Sequence, residues 1–251
     1  MEFAGKNIVV TGGASGIGRG LCERFAALGA ANVVVADLDP AGANAVAEAI
    51  GGTAKGCDVS DDASTRTMVE ETLAEIGHID LFFANAGIGT GGDLDASDQL
   101  WDLSWRVNVL GAVHAARYVI PHMEARGGGG FVITASSAGL TTGPVSLTYA
   151  VSKHAVVGVA EWLAINHGPR IAVSAICPTI VDTPMAAEFG ATMVQPMGVE
   201  TVVDATIDGL TDGRFLITPA PMALDMLQAK AQDYDGFLAQ LQTRVQGLGN
   251  R

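Results

Sequence analysis

Short apolar runs alternate along the chain with longer segments whose apolar residues recur at helical spacing. The runs are nearly continuous and rich in β-branched residues, which is typical of strands buried on both faces of a parallel sheet. Predicted strands cover residues 7–11, 32–36, 81–84, 130–135 and 171–177, and a looser region separates these from a last strand near 214–218. Predicted helices cover residues 16–28, 41–50, 100–126 and 149–166.

This alternation predicts an α/β fold: a single Rossmann-type, doubly wound parallel sheet with helices on both faces. No internal repeat or linker interrupts the pattern, so residues 1–251 are expected to form one domain. The segment 185–199 is irregular, apolar and rich in methionine, and we interpret it as a lid. Residues 222–251 return to helical spacing, which predicts a C-terminal tail of one or two helices.

Composition and charge limit the classes of binding partner that we expect for this chain. Acidic residues exceed basic ones by 27 to 14, giving a formal net charge of -13, which disfavours nucleic acid, an anionic membrane or an acidic carrier protein and leaves a small molecule as the expected substrate. The three cysteines are far apart, and neither a signal-peptide core nor a long apolar stretch is present, so a cytoplasmic protein is expected. The five histidines lack metal-ligand spacing, and no metal is expected.

A glycine-rich loop follows the first predicted strand and opens the first predicted helix. Glycines at 12, 16 and 18 let the backbone turn sharply and approach a phosphate, which then lies at the helix N-terminus. A glycine-rich turn without a ligand is the alternative. The spacing is GxxxGxG and differs from the GxGxxG form of the dinucleotide-binding fingerprint. In this context the loop predicts a dinucleotide site.

Asp37 ends the second predicted strand and bears on the choice of cofactor. A carboxylate there hydrogen-bonds the adenosine ribose hydroxyls and repels a 2′-phosphate, whereas neither Ser15 nor Leu38 supplies the basic partner that NADP needs. The alternative is that Asp37 is a turn former, because Asp39 and a proline follow it. The strand and the loop together favour NAD(H) as the cofactor.

A tyrosine and a lysine four residues apart carry the candidate chemistry. Tyr149 and Lys153 lie on one face of a predicted helix, and a nearby ammonium lowers the pKa of a phenol, as a general acid/base requires. Alone, the two residues are more typical of a surface pair. Ser136 lies at the end of a predicted strand, 13 residues before the tyrosine.

Five motifs in order give the chain a resemblance to the short-chain dehydrogenase/reductase family. They are the glycine loop 11–18, the Asn-Ala-Gly segment 85–87, Asn108, Ser136 and the YxxxK segment 149–153. The resemblance covers residues 5 to 185 and continues more loosely to 218. It implies a catalytic tetrad of Asn108, Ser136, Tyr149 and Lys153, in which the tyrosine exchanges a proton with the substrate, the serine holds the substrate oxygen, the lysine binds the nicotinamide ribose and the asparagine holds a water. The family's usual distance from serine to tyrosine selects Ser136 over Ser137.

The resemblance also implies the cofactor contacts. Asp58 and Val59 would lie beside adenine, the 85–87 segment against the adenine ribose, and Val181 and Thr183 at the carboxamide. The predicted cofactor-binding residues are Gly12, Ser15, Gly16, Ile17, Gly18, Asp37, Leu38, Asp58, Val59, Asn85, Ala86, Gly87, Tyr149, Lys153, Pro178, Val181 and Thr183. For Asn85 and Asn108, binding of neighbouring backbone groups is an equal alternative.

The chain departs from the family pattern in three places. Thr179 stands where the family usually has a glycine after the proline, the connection 166–170 is short, and the C-terminal tail is long. The tail puts the usual tetramer contacts in doubt, although the family pairs subunits through the helices predicted at 100–126 and 149–166. A homodimer or homotetramer is therefore expected.

The expected substrate follows from the residues around these motifs. The loop after the predicted catalytic serine and the lid are apolar, which predicts an apolar or aromatic alcohol or ketone, with core or interface packing as the alternative. The predicted substrate-binding residues are Ser136, Leu140, Val145, Met185 and Phe189. The whole indicates an NAD(H)-dependent oxidoreductase that interconverts a secondary alcohol and a ketone. The alternatives are a 3-oxoacyl-carrier-protein reductase, which would favour a basic docking surface and NADPH, and a non-catalytic nucleotide-binding regulator, which would not need the tetrad.

Overall fold

The computed structural model describes residues 2–143, 146–188 and 195–249. Within these ranges seven parallel strands form one sheet in the order β3-β2-β1-β4-β5-β6-β7. The strands are β1 (Asn7–Thr11), β2 (Asn32–Asp37), β3 (Thr53–Gly56), β4 (Leu81–Ala84), β5 (Gly129–Thr134), β6 (Ile171–Ile176) and β7 (Leu216–Ile217). The doubly wound Rossmann-type sheet expected from the sequence is confirmed.

Helices connect the strands and cover the sheet. They are α1 (Gly16–Ala27), α2 (Pro40–Ile50), α3 (Asp62–Ile76), α4 (Asp98–Trp105), α5 (Gly111–Ala125), α6 (Leu147–His167), α7 (Pro184–Glu188), α8 (Val199–Thr211), α9 (Pro221–Gln232) and α10 (Tyr234–Gly249). Local signals set several boundaries. Asp39 caps the start of α2, whose first residue is a proline, and Gly51 caps its end in the left-handed conformation.

Alternate residues of each central strand face two separate cores. On one face Val9, Phe82 and Phe131 pack against α3, α5 and α6, and the last two rings stack with centroids 5.5 Å apart. On the other face Val10 and Phe83 pack against α1, α2 and α8. Because both faces are covered, the strands are apolar along their whole length, as the nearly continuous runs predicted.

The direction of winding reverses between β1 and β4. From β1 the chain proceeds outward through β2 to β3, then crosses back to β4 on the other side of β1. The loops that leave these two strands therefore diverge and open a crevice at the carboxyl edge of the sheet, where ligands of such folds bind. The glycine loop and the Asn85–Gly87 segment both lie at this point.

The structure adds elements that the apolar pattern did not predict. β3 and α3 occupy a region without a prediction, and α8 lies in the looser region before the last strand. β7 is only two residues long. The tail forms two helices, α9 and α10, as expected. Part of the predicted lid is helical, since α7 begins at Pro184.

The helical segment predicted over residues 100–126 is present, but it is not a regular α-helix throughout. The segment consists of α4, a π-helical stretch at Arg106–Leu110 and then α5. A π-helical stretch has a wider turn than an α-helix and shifts the residues that follow around the axis. Here the widened turn contains Asn108, which is 3% exposed.

Candidate active site

The glycine loop is shaped by close backbone contacts. Gly12 has a φ of +67°, and a Cβ built on it would lie 2.8 Å from the Ala86 Cα atom. A Cβ on Gly18 would lie 2.0 Å from the Gly12 carbonyl oxygen. Ser15 precedes α1 without capping it through its side chain. The first amides of α1 therefore point into the crevice without a side-chain acceptor, an arrangement that suits a phosphate.

Asp37 links the end of β2 to the glycine loop. Its Oδ2 atom accepts a hydrogen bond from the Ala14 amide at 2.9 Å, and its Oδ1 atom accepts one from the Asp39 amide at 3.0 Å. Two amides thus orient the carboxylate at the edge of the crevice. The neighbouring Leu38 side chain is 72% exposed, so it provides an apolar surface on the outer side of the crevice.

Asn85 joins three strands. Its Nδ2 atom donates to the carbonyl oxygens of Thr11 at 2.9 Å and Gly12 at 3.3 Å, while its Oδ1 atom accepts from the Thr134 hydroxyl at 3.0 Å. The Thr11 hydroxyl in turn accepts from the Asn85 amide at 3.0 Å. The structure therefore gives this asparagine the backbone-binding role that the sequence left as one of two alternatives. Ala86 packs directly against Gly12.

The structure brings three members of the predicted tetrad together. Ser136 lies beside Tyr149, close enough for its hydroxyl to affect the pKa of the phenol. The Lys153 Nζ atom lies 5.6 Å from the centre of the tyrosine ring and donates to the Thr134 carbonyl oxygen at 3.0 Å. Ser136 also caps the short turn that follows it, because its Oγ atom accepts from the Ala138 amide at 3.1 Å.

Burial governs the charges of the pair. It raises the pKa of Tyr149, against the smaller lowering effect of the nearby Ser136 hydroxyl. Burial also lowers the pKa of Lys153 from 10.5 to about 8. The expectation of a lowered tyrosine pKa is therefore wrong for the protein alone, since the loss of hydration outweighs the effect of nearby polar groups. Cys177, next to both residues, has its pKa raised by burial to about 11.

Asn108 is the fourth member, and it bonds to protein groups on both sides. Its Oδ1 atom accepts from the Ile88 amide at 2.9 Å, and its Nδ2 atom donates to the Ile88 carbonyl oxygen at 3.0 Å and to the Ser152 hydroxyl at 3.1 Å. A Cβ on Gly87 would lie 3.1 Å from the Asn108 Oδ1 atom and 3.4 Å from the Lys153 Nζ atom. The bare glycine backbone thus fills the space between these two side chains.

Asp58 and Val59 follow β3 on the far side of the crevice. The Asp58 amide donates to the Ser64 hydroxyl at 3.0 Å, and its carboxylate accepts from the Ser60 amide at 2.9 Å. Val59 is buried against Gly111, at the start of α5. These bonds hold the turn after β3, with Val59 among the residues that line a small cavity in the crevice.

The segment after β6 closes the crevice from above. The Pro178 carbonyl oxygen accepts from the Ser137 amide at 2.8 Å. The Thr183 side chain packs over Gly16, because a Cβ on that glycine would lie 3.1 Å from the threonine methyl group. Val181 is buried and pairs with Met197. The predicted carboxamide-binding residues and the glycine loop are therefore neighbours.

The predicted substrate-binding residues differ in their burial and in their position relative to the site. Met185 is half-buried on α7, whereas Leu140 is 8% exposed and belongs to the core beneath the site. Val145 and Phe189 lie outside the described residues. The tail also reaches this region, since the Lys230 Nζ atom donates to the Leu140 carbonyl oxygen at 3.0 Å. α9 is thus attached to the turn that follows Ser136.

Sequence reasoning missed the polar side chains behind Tyr149. Ser146 caps α6, and its Oγ atom accepts from the Tyr149 amide at 3.3 Å. The Ser152 hydroxyl donates to the Tyr149 carbonyl oxygen at 2.8 Å. A serine just before a helix is a recognisable cap signal. Nothing in the local sequence marks the partners that these serines have in other elements.

Three general features of the described residues concern metals, membranes and cysteines. Among the described residues, no group of three His, Cys, Asp or Glu side chains is arranged to hold a metal ion. None of the helices in the described ranges combines the length and apolar character that a membrane crossing needs. All three cysteines are buried and free.

Comparison with known proteins identifies a matching family and a similar dehydrogenase. The family described as short chain dehydrogenase matches residues 6–194. The 2,5-dichloro-2,5-cyclohexadiene-1,4-diol dehydrogenase of Sphingobium indicum is 39% identical over 190 residues, which cover 73% of this chain and 76% of that protein.

Two solved structures extend the likeness to the whole fold. A short chain dehydrogenase/reductase from Burkholderia phymatum, solved in complex with NAD, is 30% identical, with a TM-score of 0.84 over 94% of this chain and 96% of its own. The 3-ketoacyl-(acyl-carrier-protein) reductase of Brucella melitensis, solved with NADH, is 30% identical, with a TM-score of 0.78 over 88% of this chain and 93% of its own.

Proposed function

Because this chain belongs to the short-chain dehydrogenase family, and is thus an oxidoreductase, we propose that it interconverts a secondary alcohol and a ketone with NAD(H). The observation that carries the proposal is the placement of the buried Ser136 hydroxyl beside Tyr149, with the Lys153 Nζ atom 5.6 Å from the centre of the tyrosine ring. A hydroxyl pair beside a buried ammonium is suited to binding a substrate oxygen and exchanging a proton with it.

The residues of the crevice fit a nicotinamide dinucleotide. The close approach at Gly12 and Gly18 leaves room for backbone but not for side chains, and the first amides of α1 face the same space. We assign the pyrophosphate to this loop and the adenosine ribose to Asp37. When bound, the nicotinamide supplies or accepts the hydride.

The chain's own side chains perform the proton chemistry. In oxidation, the Tyr149 phenolate takes the proton of the alcohol; in reduction, the phenol returns a proton to the oxygen of the carbonyl. Ser136 holds that oxygen beside the tyrosine. Lys153 contacts the nicotinamide ribose, and its ammonium stabilises the phenolate. Asn108 is fixed by hydrogen bonds to Ile88 and Ser152. We propose that it supports the part of the site around Lys153.

Asp37 supports NAD(H) over NADP(H). Its carboxylate is fixed by the Ala14 and Asp39 amides, so it cannot swing away from a 2′-phosphate without losing both hydrogen bonds. The structures of the Burkholderia and Brucella relatives, which hold NAD and NADH, agree with this choice.

The proposed substrate is an apolar or aromatic secondary alcohol or its ketone. Met185 lies on α7, next to the segment that covers the glycine loop, and Val145 and Phe189 belong to the same predicted wall. The Sphingobium relative is named for a chlorinated cyclic diol, which is a secondary alcohol on an apolar ring. The net charge of -13 disfavours an acidic carrier protein, although the Brucella relative is named a 3-ketoacyl-carrier-protein reductase.

We also propose assembly and location. The exposed apolar side chains of α4 and α6 suit pairing with a second copy, as a homodimer or homotetramer. They are Leu103, Trp105, Val151, Trp162 and Ile165. Three buried, free cysteines fit a reducing compartment such as the cytoplasm.

Two variants test the proposed function. Tyr149→Phe removes the proton donor and keeps the ring, so turnover of a secondary-alcohol panel should be lost while NADH binding is kept. Asp37→Asn keeps an acceptor for the Ala14 amide and removes the charge, so the ratio of kcat/KM with NADP to that with NAD should rise about tenfold or more. Asp39→Asn, which keeps the α2 cap, is the matched control.

Three results would count against the proposal. They are turnover that survives in Tyr149→Phe, a parent enzyme with higher kcat/KM for NADP than for NAD, and activity confined to acyl thioesters of a carrier protein.

A further inference from the structure

Four buried hydroxyl side chains lie together behind the candidate active site. Thr90 is 4% exposed, Ser104 1%, Ser146 4% and Thr148 0%. They come from three elements: the loop after β4, α4 and the start of α6. We call them the hydroxyl cluster. Buried hydroxyls are retained where their hydrogen bonds fix one arrangement of the elements that they join.

Thr148 has the central place in the cluster. Its Oγ1 atom lies 2.8 Å from the Thr90 Oγ1 atom and 3.1 Å from the Ser146 Oγ atom, and donates to the Gly91 carbonyl oxygen at 3.1 Å. The Thr148 carbonyl oxygen accepts from the Ser104 hydroxyl at 3.3 Å. One residue therefore contacts every other member of the cluster through its side chain or its carbonyl group.

Each of the four hydroxyl protons has an acceptor within hydrogen-bonding distance. Ser146 donates to the Thr90 carbonyl oxygen, Ser104 to the Thr148 carbonyl oxygen and Thr148 to the Gly91 carbonyl oxygen. The Thr90 hydroxyl has two hydroxyl neighbours, Ser104, to which it donates at 3.2 Å, and Thr148 at 2.8 Å. Each hydroxyl has one proton, and each proton is used. The hydrogen bonds of the cluster form only when the loop after β4 and the start of α6 are correctly placed against each other.

The cluster connects directly to the backbone of Tyr149. The Ser146 Oγ atom, whose proton is given to Thr90, accepts from the Tyr149 amide at 3.3 Å. On the other side, the Tyr149 carbonyl oxygen accepts from Ser152, which accepts from Asn108. Both main-chain polar groups of Tyr149 are thus tied to the loop that follows β4. The amide is tied through Ser146, and the carbonyl group through Ser152 and Asn108.

We propose that Thr148 is a positioning residue, which sets the place of Tyr149 relative to Ser136 through the hydroxyl cluster. The inference rests on the proposed role of Tyr149 and adds a residue that does not touch the substrate. A tyrosine at the first turn of a helix moves with that turn. A displacement of about 1 Å of a catalytic group is enough to lower a rate by up to about a hundredfold.

Thr148→Val tests the proposal, because it keeps the shape of the side chain and removes the hydroxyl. We expect kcat to fall about tenfold or more, with the Kd for NADH and the KM for the alcohol within about twofold. The pH profile of kcat for oxidation should move to higher pH, since a weaker contact with Ser136 no longer offsets the effect of burial on Tyr149. Thr148→Ser keeps the hydroxyl and should retain kcat within about twofold.

Thr72→Val is the matched control for stability. Thr72 is also 0% exposed, and its hydroxyl donates to the Met68 carbonyl oxygen at 2.8 Å within α3, away from the site. It should lower the melting temperature without changing kcat or the pH profile. If Thr148→Val behaves in the same way, the cluster is structural only and the inference is overturned.

Amide hydrogen exchange separates this inference from the proposed function. Thr148→Val should speed exchange in both segments 88–93 and 146–152, whereas Thr72→Val should speed it in neither. If the parent protein turns over no alcohol, the proposed function fails, but the exchange result still decides whether the cluster fixes Tyr149. Unchanged exchange in both segments would overturn the inference even in an active enzyme.

Discussion

Replacing Lys153 with methionine should make the protein more stable at neutral pH while it removes activity. Lys153 is 4% exposed and its pKa is lowered by burial from 10.5 to about 8. A pKa difference of one unit corresponds to about 1.4 kcal/mol, so holding the ammonium in the folded state costs about 3 kcal/mol at neutral pH. Methionine has a similar length and carries no charge.

Loss of the lysine also has an opposing effect. The Thr134 carbonyl oxygen accepts from the Lys153 Nζ atom at 3.0 Å and would lose that donor. An unpaired buried carbonyl group costs about 1–3 kcal/mol. The difference leaves a net gain in the free energy of unfolding of about 1 kcal/mol at pH 7.

The gain should depend on pH in a defined direction. Below pH 8 the lysine is charged in both states and its full cost is present. Between pH 8 and 10.5 the folded state loses its proton first, so the stability of the parent rises and the advantage of Lys153→Met shrinks. Above 10.5 only the loss of the hydrogen bond remains, and the variant should be less stable than the parent.

Urea unfolding of the cofactor-free parent and variant at pH 7 and pH 10 measures this change. Lys230→Met is the matched control, because Lys230 also donates to one backbone carbonyl oxygen at 3.0 Å but is only half-buried. A difference between Lys153→Met and parent that is the same at both pH values would refute the reasoning. A pH-dependent gain of equal size in the control would also refute it, since burial would not be the cause.

Two further substitutions test the frame of the site. Asn85→Ala removes three side-chain hydrogen bonds that join β1, β4 and β5, so the free energy of unfolding should fall by about 3 kcal/mol in urea unfolding, while Asn166→Ala, which removes one exposed hydrogen bond, should cost less than about 1 kcal/mol. Gly18→Ala places a Cβ 2.0 Å from the Gly12 carbonyl oxygen and should abolish NADH binding in calorimetry, whereas Gly158→Ala, with nothing within 4 Å, should bind as the parent does.

The results that would contradict these two predictions are specific. A loss of stability in Asn85→Ala no larger than in Asn166→Ala would mean that the three strands do not depend on this side chain. NADH binding that survives in Gly18→Ala would mean that the loop widens easily and that the close contact does not shape the cofactor site.

The sheet could be predicted because its strands carry their own signal. The central strands are apolar along their length, since both faces are buried. β3 is different: its sequence is TAKG, and its residues are half-buried or exposed at the edge of the sheet. α3 turns Thr65 and Thr72 inward beside Met68 and Val69, so its apolar spacing is too weak to indicate a helix.

The motifs of the site could be predicted, but their surroundings could not. Asp37, Ser136, Tyr149 and Lys153 each follow a recognisable local pattern. The contact between Thr90 and Thr148 joins residues 58 positions apart, and the contact between Asn85 and Thr134 spans 49. Single hydroxyl and amide side chains are common in any sequence, and their pairing becomes visible only when the chain has folded.

The π-helical stretch at Arg106–Leu110 lies within one continuous helical segment. It rotates the side chains that follow it around the helix axis, relative to those that precede it. Each residue of an α-helix advances the chain by about 100° around its axis, so a single added residue turns everything beyond it by nearly a third of a circle. α4 can therefore direct Ser104 toward α6, while α5 directs Val119 into the core under the sheet. Without this rotation, a single face of one regular helix would have to contact both α6 and the core under the sheet. Because of the widened turn, α5 can pack in the core while α4 contacts the elements of the site. Asn108 lies in the turn between these two helices.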